Sequence, residues 1–292
     1  MYTNISENYI ISQDGLKIPY YVQGDGYPMF FFNGFTCRQD NLKYLIQHFS
    51  KNYKIITWDY KGHGNNPMPE NYNYCSINSF VWDAQRIFDE LNIQNVILVG
   101  YSIGTELMYE FALKNPKKTR LIISINGLTG NVANSLFHTN LFKHALEFLK
   151  RSSPYLSDIY NKTWTIINQA PFSWKYLFAS PFIDKAKLNK DDMVPFINGL
   201  SQMKADFLIH LLDEFHKHSV LNDLLFLEQP TLLLAGEKDH FVPYNCSLEA
   251  HRKIPHSEFV KIPGGTHNMN MEQYEKLIQE MEIFINKNKY SL

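Results

Sequence analysis

Apolar and polar positions along this chain follow two periods, and the switches between them mark out the elements. Short apolar runs of strand length alternate with helix-length amphipathic segments, the pattern of a parallel sheet covered by helices. The opening run YIISQDGLKIPYYVQGDGYPMFFFNG predicts three strands separated by Asp-Gly and Gly-Asp-Gly turns, the first two forming an antiparallel hairpin. Phe30, Phe31 and Phe32 are apolar without a break, as a strand covered on both faces must be. A helix near Asn41–Phe49, the strand KIITWDY ending at Tyr60 and a helix near Ser79–Leu91 come next. The strand NVILVGYS, a helix near Ile103–Leu113 and the strand LIISING complete this half.

From about Asn131 to Glu228 the rhythm stops. That stretch reads as helical but irregular, broken at Pro154, Pro171, Pro181 and Pro195. The β/α pattern resumes with TLLLAGEKD, a helix beginning near Asn245, the strand EFVKIPGG and a terminal helix from about Met269. The expected organisation is one core in two pieces, residues 1–130 and 229–292, with residues 131–228 as a helical insertion. No internal repeat is visible.

The strongest local signal lies between one strand and one helix, at Gly100-Tyr101-Ser102-Ile103-Gly104. A sharp strand-to-helix turn forces its central residue into a strained conformation and needs small residues on either side, where two backbones crowd. Ser102 then projects its hydroxyl above the sheet, and the helix that follows aims free amide groups at the same spot. A serine hydroxyl needs a base within hydrogen-bond reach. Of the eleven histidines, His267 is placed by position, because the loop Gly264-Gly265-Thr266-His267 follows a strand and so opens on the same sheet edge as Ser102. Asp239, at the end of TLLLAGEKD, reaches that edge too and is the expected orienting acid, with Glu237 as its rival.

With these residues in place the chain resembles the α/β-hydrolase superfamily over nearly its whole length. Asn33-Gly34-Phe35 resembles the family's His-Gly oxyanion loop, Asp59-Tyr60-Lys61-Gly62-His63-Gly64 its D-x-R-G-x-G turn, and Gly100–Gly104 its nucleophile elbow. Gly236-Glu237-Lys238-Asp239 and Gly265-Thr266-His267 resemble the acid and histidine loops. The resemblance implies a mostly parallel, doubly wound α/β sheet with an inserted helical cap over the active site. It implies a catalytic triad of Ser102, Asp239 and His267, and an oxyanion hole made by the backbone N–H groups of Phe35 and Ile103. The chain departs from the pattern at Asn33, where His is common, at Lys61 in place of Arg, and at Asn66 where Ser often stands. A nucleophilic Asp would have pointed to dehalogenases or epoxide hydrolases; Ser102 argues for acyl transfer.

Composition narrows the partners. A net charge of −1 leaves no basic excess for nucleic acid. The N-terminal MYTNISENYIISQDG lacks the charge and apolar run of a secretory signal, and no stretch reaches the ~18 apolar residues of a membrane span. Cys37, Cys75 and Cys246 are odd in number and form no CxxC pair, which fits small buried side chains in a reducing cytoplasm. Of the histidines, His63 belongs to its turn, and His210, His216 and His218 with Asp213 and Glu214 define no complete ligand set. No metal and no cofactor is expected. Gly24-Asp25-Gly26 is a turn and not a phosphate loop, since no G-K-[ST] follows.

Aromatics concentrate in the insertion: Phe137, Phe142, Phe148, Tyr155, Tyr160, Trp164, Phe172, Trp174, Tyr176, Phe178, Phe182, Phe196, Phe207 and Phe215. Most are expected to pack the insertion against itself and the core. Those left over the polar triad predict an apolar pocket and a small ester with an apolar acyl or alcohol group. Cleavage of C–C, amide or lactone bonds, acyl transfer, and ligand reception on the same scaffold stay open. So does the oligomeric state.

Overall fold

The computed structural model describes residues 5–64, 66–132, 141–169 and 183–291. Eight strands form one sheet: β1 (Ser6–Ile11), β2 (Lys17–Gln23), β3 (Tyr27–Phe32), β4 (Tyr53–Trp58), β5 (Val96–Tyr101), β6 (Thr119–Ile125), β7 (Thr231–Gly236) and β8 (Ser257–Ile262). Their order is β1-β2-β4-β3-β5-β6-β7-β8. The β1/β2 hairpin and the β2/β4 pair are antiparallel, and every other pair is parallel.

The uninterrupted apolar run of β3 is explained by two helical layers. Side chains alternate across a strand, so Phe30 and Phe32 enter one core and Met29 and Phe31 the other. On the first face Phe30 packs on Phe88 of α2 (Ile77–Glu90) at 4.9 Å between ring centroids, and Phe88 on Phe111 of α3 (Gly104–Lys114) at 4.5 Å. Each fully buried phenyl contributes roughly 2–3 kcal/mol. Helix α2 begins where the Ser76 hydroxyl caps the Ser79 amide, and it buries Ile77, Phe80, Val81, Ala84, Ile87 and Phe88, one helical stripe. The second face is covered by α1 (Lys43–Phe49) and α9 (Tyr274–Lys287), through Leu45, Phe49, Met281 and Phe284. A short helix, α8 (Met269–Glu272), precedes α9, and α7 (Tyr244–Lys253) joins β7 to β8.

Among the described residues three helices stand between β6 and β7: α4 (Leu141–Gln169), α5 (Lys190–Gln202) and α6 (Ala205–Lys217). Pro154 and Pro195 do not break this region as their chemistry predicts; they lie inside α4 and α5. A proline forfeits one ladder bond, and the packing of Leu146 against Ile209 and the Lys150–Asp213 ion pair (2.8 Å) keep α4 seated on α6 regardless. Pro171 and Pro181 fall outside the described residues. The chain enters and leaves this region through a narrow neck, where Gly130 bridges Ser219, the Asn131 amide donates to His218 O (3.0 Å) and the Val220 amide to Thr129 O (2.9 Å). Among the described residues no helix is long and apolar enough to cross a membrane.

Two strands end sooner than the apolar pattern predicts. β4 stops at Trp58 and β7 at Gly236, so Asp59, Tyr60 and Asp239 stand in the turns beyond. The last rung between β2 and β4 is Tyr20–Trp58; the next residue of β2 is Pro19, which has no N–H to donate. The terminal helix is also split, at Gln273.

Candidate active site

The chain leaves β3 for β4 on one side and leaves β5 for β6 in the other direction, so the strand order reverses between β3 and β5. Loops at the C-terminal ends of two such strands diverge and open a crevice. The loop Asn33-Gly34-Phe35 after β3 and the turn Ser102-Ile103 after β5 occupy it. Ser102 has φ +53°, the left-handed region that costs a non-glycine residue, and its amide is pinned to Ile125 O at 2.9 Å. The flanking glycines are needed for the reason the motif predicts. A Cβ on Gly104 would lie 2.2 Å from Asn33 O, and one on Gly100 would lie 2.9 Å from the Thr105 Cα.

Three side chains from three loops meet there. His267 Nε2 lies 3.0 Å from Ser102 Oγ, and His267 Nδ1 lies 2.7 Å from Asp239 Oδ2. The other oxygen of buried Asp239 accepts from the Phe241 (2.9 Å) and Val242 (2.8 Å) amides, which fixes the carboxylate plane. Glu237 is elsewhere: it accepts from the Gly264 amide at 3.1 Å and pairs with Lys261 at 3.3 Å, in solvent. Phe35 and Ile103 both flank Ser102, and among the described residues neither amide N–H is spent on an internal hydrogen bond.

The residues that hold this arrangement were not evident from motifs. Asn126, buried at the end of β6 with φ +47°, donates Nδ2 to Thr266 O (3.1 Å) and His267 O (3.0 Å) and accepts from the Gly236 amide (2.8 Å). It therefore ties the acid loop to the histidine loop. The Tyr101 hydroxyl donates to the same His267 carbonyl at 2.9 Å, and Thr266 Oγ1 to Glu272 at 2.7 Å. The sequence signal for Asn126 was only a polar residue closing an apolar strand.

The three departures from the family pattern each find a structural use. Asn33 Nδ2 donates to Trp58 O (3.1 Å), joining the ends of β3 and β4. Asn66 Nδ2 donates to Asp59 O (2.8 Å) and Tyr60 O (3.1 Å), closing the glycine turn. Lys61 is wholly buried; its ammonium donates to Tyr74 O (2.9 Å) and Ser79 Oγ (3.0 Å), beside Asp14 and Asp83 at 3.5 and 3.6 Å. His63 is buried, with Nδ1 against Lys61 O, and burial pulls its pKa down to about 4, so it stays neutral. It is packed in the turn and does not line the cavity.

Above Ser102 and His267 opens a cavity of about 560 Å³, within the usual range for small-molecule sites. Of the aromatics expected over the triad, Tyr160, Trp164 and Phe196 line it. The rest of that wall is aliphatic, with Leu149, Ile183, Met193, Leu200, Leu208, Ile209 and Leu212 among its members. Phe207 and Phe215 are buried in the core beneath, and Phe142 packs on it. Phe148 and Tyr155 do not pack at all: both stand in solvent. Phe137, Phe172, Trp174, Tyr176, Phe178 and Phe182 lie outside the described residues. Cys37 and Cys75 are buried and Cys246 is half-buried; burial pushes the Cys75 thiol up to about 12 and Cys37 further, so neither is a thiolate at neutral pH.

The histidines of the insertion are dispersed. His210 packs against Tyr72 with the rings tilted, and Asp213 is taken by Lys150 and Lys217. His218 leaves α6 for the core, where Nδ1 meets Glu106 of α3 at 2.5 Å and Nε2 meets Glu110 at 3.4 Å. Burial by itself lowers the imidazole pKa, but the two carboxylates outweigh it and hold His218 up at about 9. The hydrogen bond from His218 draws Glu110 down to about 2.

Comparison with known proteins gives one consistent answer. The AB hydrolase superfamily protein YisY of Bacillus subtilis is 24% identical over 262 residues, 87% of this chain and 90% of its own. A bromoperoxidase from Bacillus anthracis superposes with a TM-score of 0.77 at 18% identity, over 96% of this chain and 100% of its own. An esterase from Exiguobacterium antarcticum superposes with a TM-score of 0.76 at 18% identity, over the same 96% and 100%. At that identity the two structures establish a shared fold. The pattern of the alpha/beta hydrolase fold family matches residues 27–274, most of the chain. With the sheet order, the elbow and that match in agreement, this chain belongs to the alpha/beta hydrolase fold family of enzymes.

Proposed function

We propose that the chain is a cofactor-independent serine hydrolase of carboxylic esters bearing an apolar acyl or alcohol group. The observation that carries this reading is the unbroken contact from Asp239 through His267 to Ser102, at 2.7 and 3.0 Å, on the floor of an apolar cavity. Residues 131–228 act in it as the cap that supplies the apolar walls. The reducing cytoplasm suits its free thiols.

Chemistry follows from the geometry. Asp239 accepts from His267 Nδ1, which leaves Nε2 with a lone pair facing the Ser102 hydroxyl. As Oγ attacks the ester carbonyl, its proton passes to Nε2 and the carbonyl oxygen takes the negative charge. The free amides of Phe35 and Ile103 donate to that oxyanion; losing one such donor typically costs ~3 kcal/mol. Collapse expels the alcohol, protonated by the imidazolium, and leaves an acyl group on Ser102. Water, deprotonated by His267, then attacks the acyl-enzyme and releases the acid.

Labelling with a fluorophosphonate and mapping the modified peptide tests this directly. Label on Ser102, lost in Ser102→Ala with turnover of short p-nitrophenyl esters, is the expected result. An unlabelled Ser102, or an active Ser102→Ala protein that folds normally, overturns it.

A further inference from the structure

One buried carboxylate beside the histidine loop has no step in acyl transfer. Glu272, the last residue of α8, is buried, and burial pushes its pKa above the ordinary carboxylate value. A carboxylate taken out of water depends on the donors it finds. Glu272 finds two, on unlike parts of the chain. Oε1 accepts from the Asp184 amide of the insertion at 2.8 Å, and Oε2 accepts from the Thr266 hydroxyl of the histidine loop at 2.7 Å.

Each contact leads to the site within a residue or two. The Thr266 oxygen also accepts from the Asn268 amide at 3.1 Å, so one hydroxyl brackets His267 through both of its neighbours. On the other arm, Asp184 follows Ile183, which lines the cavity. The Asp184 carbonyl takes the Lys187 and Leu188 amides, each at 3.0 Å, and closes the turn that leads to α5. Ile183, Leu188, Met193 and Ile197 form one apolar cluster with Met271, the residue before Glu272. Apolar contact is not directional, whereas hydrogen bonds fix distance and angle. Tyr101 and Asn126 secure the His267 carbonyl to the sheet, and Glu272 secures the same loop to the insertion. Helix α5 has its own anchor in Asp192, which accepts from the Tyr44 hydroxyl at 2.7 Å and pairs with Lys43 at 2.5 Å. Loss of Glu272 therefore leaves the insertion attached.

We propose that Glu272 is a positioning residue that ties the cavity wall at Ile183–Asp184 to the loop carrying His267, so that one carboxylate sets the substrate's surroundings and the imidazole against each other. This rests on His267 serving as the base in ester hydrolysis. A displacement of about 1 Å in such a group costs on the order of 100-fold. Tyr101 and Asn126 remain when Glu272 is lost, so a loss of about tenfold is expected.

Ester kinetics and amide hydrogen exchange of the full chain test the tie. With a short p-nitrophenyl ester, kcat is expected to fall about tenfold in Glu272→Ala and in Thr266→Val, with KM within about twofold of the parent in Thr266→Val. The double variant Glu272→Ala/Thr266→Val is expected to be no slower than Glu272→Ala, because both substitutions break the same connection. Glu272→Gln is expected to recover most of the loss: its amide oxygen still accepts from Asp184 while its NH2 donates to Thr266 Oγ1. Exchange at residues 183–188 is expected to quicken at least about threefold in Thr266→Val, although the substitution lies in the other loop. Thr266→Val, of nearly unchanged shape, carries the test where Glu272→Ala does not fold. An unchanged kcat in the single variants, multiplying losses in the double variant, or exchange at residues 183–188 that ignores Thr266→Val overturns the proposal. Exchange needs no substrate, so a parent that turns over no ester refutes the hydrolase reading and leaves the tie to be judged by exchange.

Discussion

The contact between His218 and the Glu106–Glu110 pair makes a stability prediction with a definite sign. The ring is held charged, its pKa raised from 6.5 to about 9. A raised folded value means that the native state keeps a proton the unfolded chain releases. The stabilisation is therefore complete below about pH 6.5 and disappears as pH rises through about 9. The full shift corresponds to roughly 3 kcal/mol. The imidazole is partly in solvent and shares its proton with two acids, so about 2 kcal/mol is the realistic size. For a chain of 292 residues that is about 3 °C in Tm.

The perturbation that isolates it is the double variant His218→Gln/Glu106→Gln, which removes the titrating ring and the buried carboxylate together. Removing only His218 would leave buried Glu106 without its partner and add a pH dependence of its own. Thermal melts followed by circular dichroism across this pH range are the assay. Glu106 is itself raised by burial from 4.5 to about 7, so the parent is expected to lose Tm between about pH 4.5 and 9 while the double variant, lacking both groups, loses less there. Parallel curves for the two proteins would refute the argument. The acid limb is a separate check: Glu110, lowered to about 2, contributes stability that is present above its ordinary 4.5 and fades as pH falls toward 2.

Three further substitutions probe the site and its support. Gly104→Ala puts a methyl 2.2 Å from Asn33 O; backbone must move by about 1 Å, which is expected to cost 1–3 kcal/mol and roughly 100-fold in kcat, read by melts and ester kinetics. Asn126→Gly keeps the positive φ but deletes three hydrogen bonds to the acid and histidine loops; kcat is expected to fall about 10–100-fold with little change in KM, and an unchanged kcat would remove its positioning role. Asp83→Ala leaves the buried Lys61 ammonium with Asp14, at 3.5 Å, as its remaining acid and deprives Ser12 Oγ of its acceptor; a loss of about 2–3 kcal/mol in denaturant melts is expected, and a loss under about 1 kcal/mol would show that the pair is not needed.

What could be read from the chain was whatever strand ends fix. Ser102, Asp239 and His267 each follow an apolar run, and parallel strands deliver such positions to one edge whatever the rest of the protein does. Both cores were legible in the same way, since Phe30–Phe32 is apolar at every position and only a doubly covered strand tolerates that. The misreadings concern effects set at a distance. KIITWDY keeps its pattern through Tyr60, but pairing ends where Pro19 follows Tyr20 in β2, and that partner is more than thirty residues away. Pro154 and Pro195 look like breaks because local cost is visible, while the packing of α4 on α6 and of Met193 and Ile197 of α5 with Met271 is not. Aromatic content did not foretell exposure: Tyr160 faces the cavity and Tyr155 faces water, five positions apart on one helix.

The least legible feature is how the insertion is aligned over the serine, and it runs through one turn of α3. Ser102 ends the elbow. Three residues on, Thr105 Oγ1 donates to Leu128 O and accepts from the Leu128 amide, fixing the exit of β6 toward the neck. At the next position Glu106 holds His218, the first residue past α6 at the other side of the neck. The bridge from Gly130 to Ser219 closes the two strands of the neck between those anchors. Both chain crossings into the cavity walls are thus referenced to the same helical turn that follows Ser102. Such an arrangement needs residues from three separate stretches, each unremarked by any motif, and only their meeting in space gives them a common purpose.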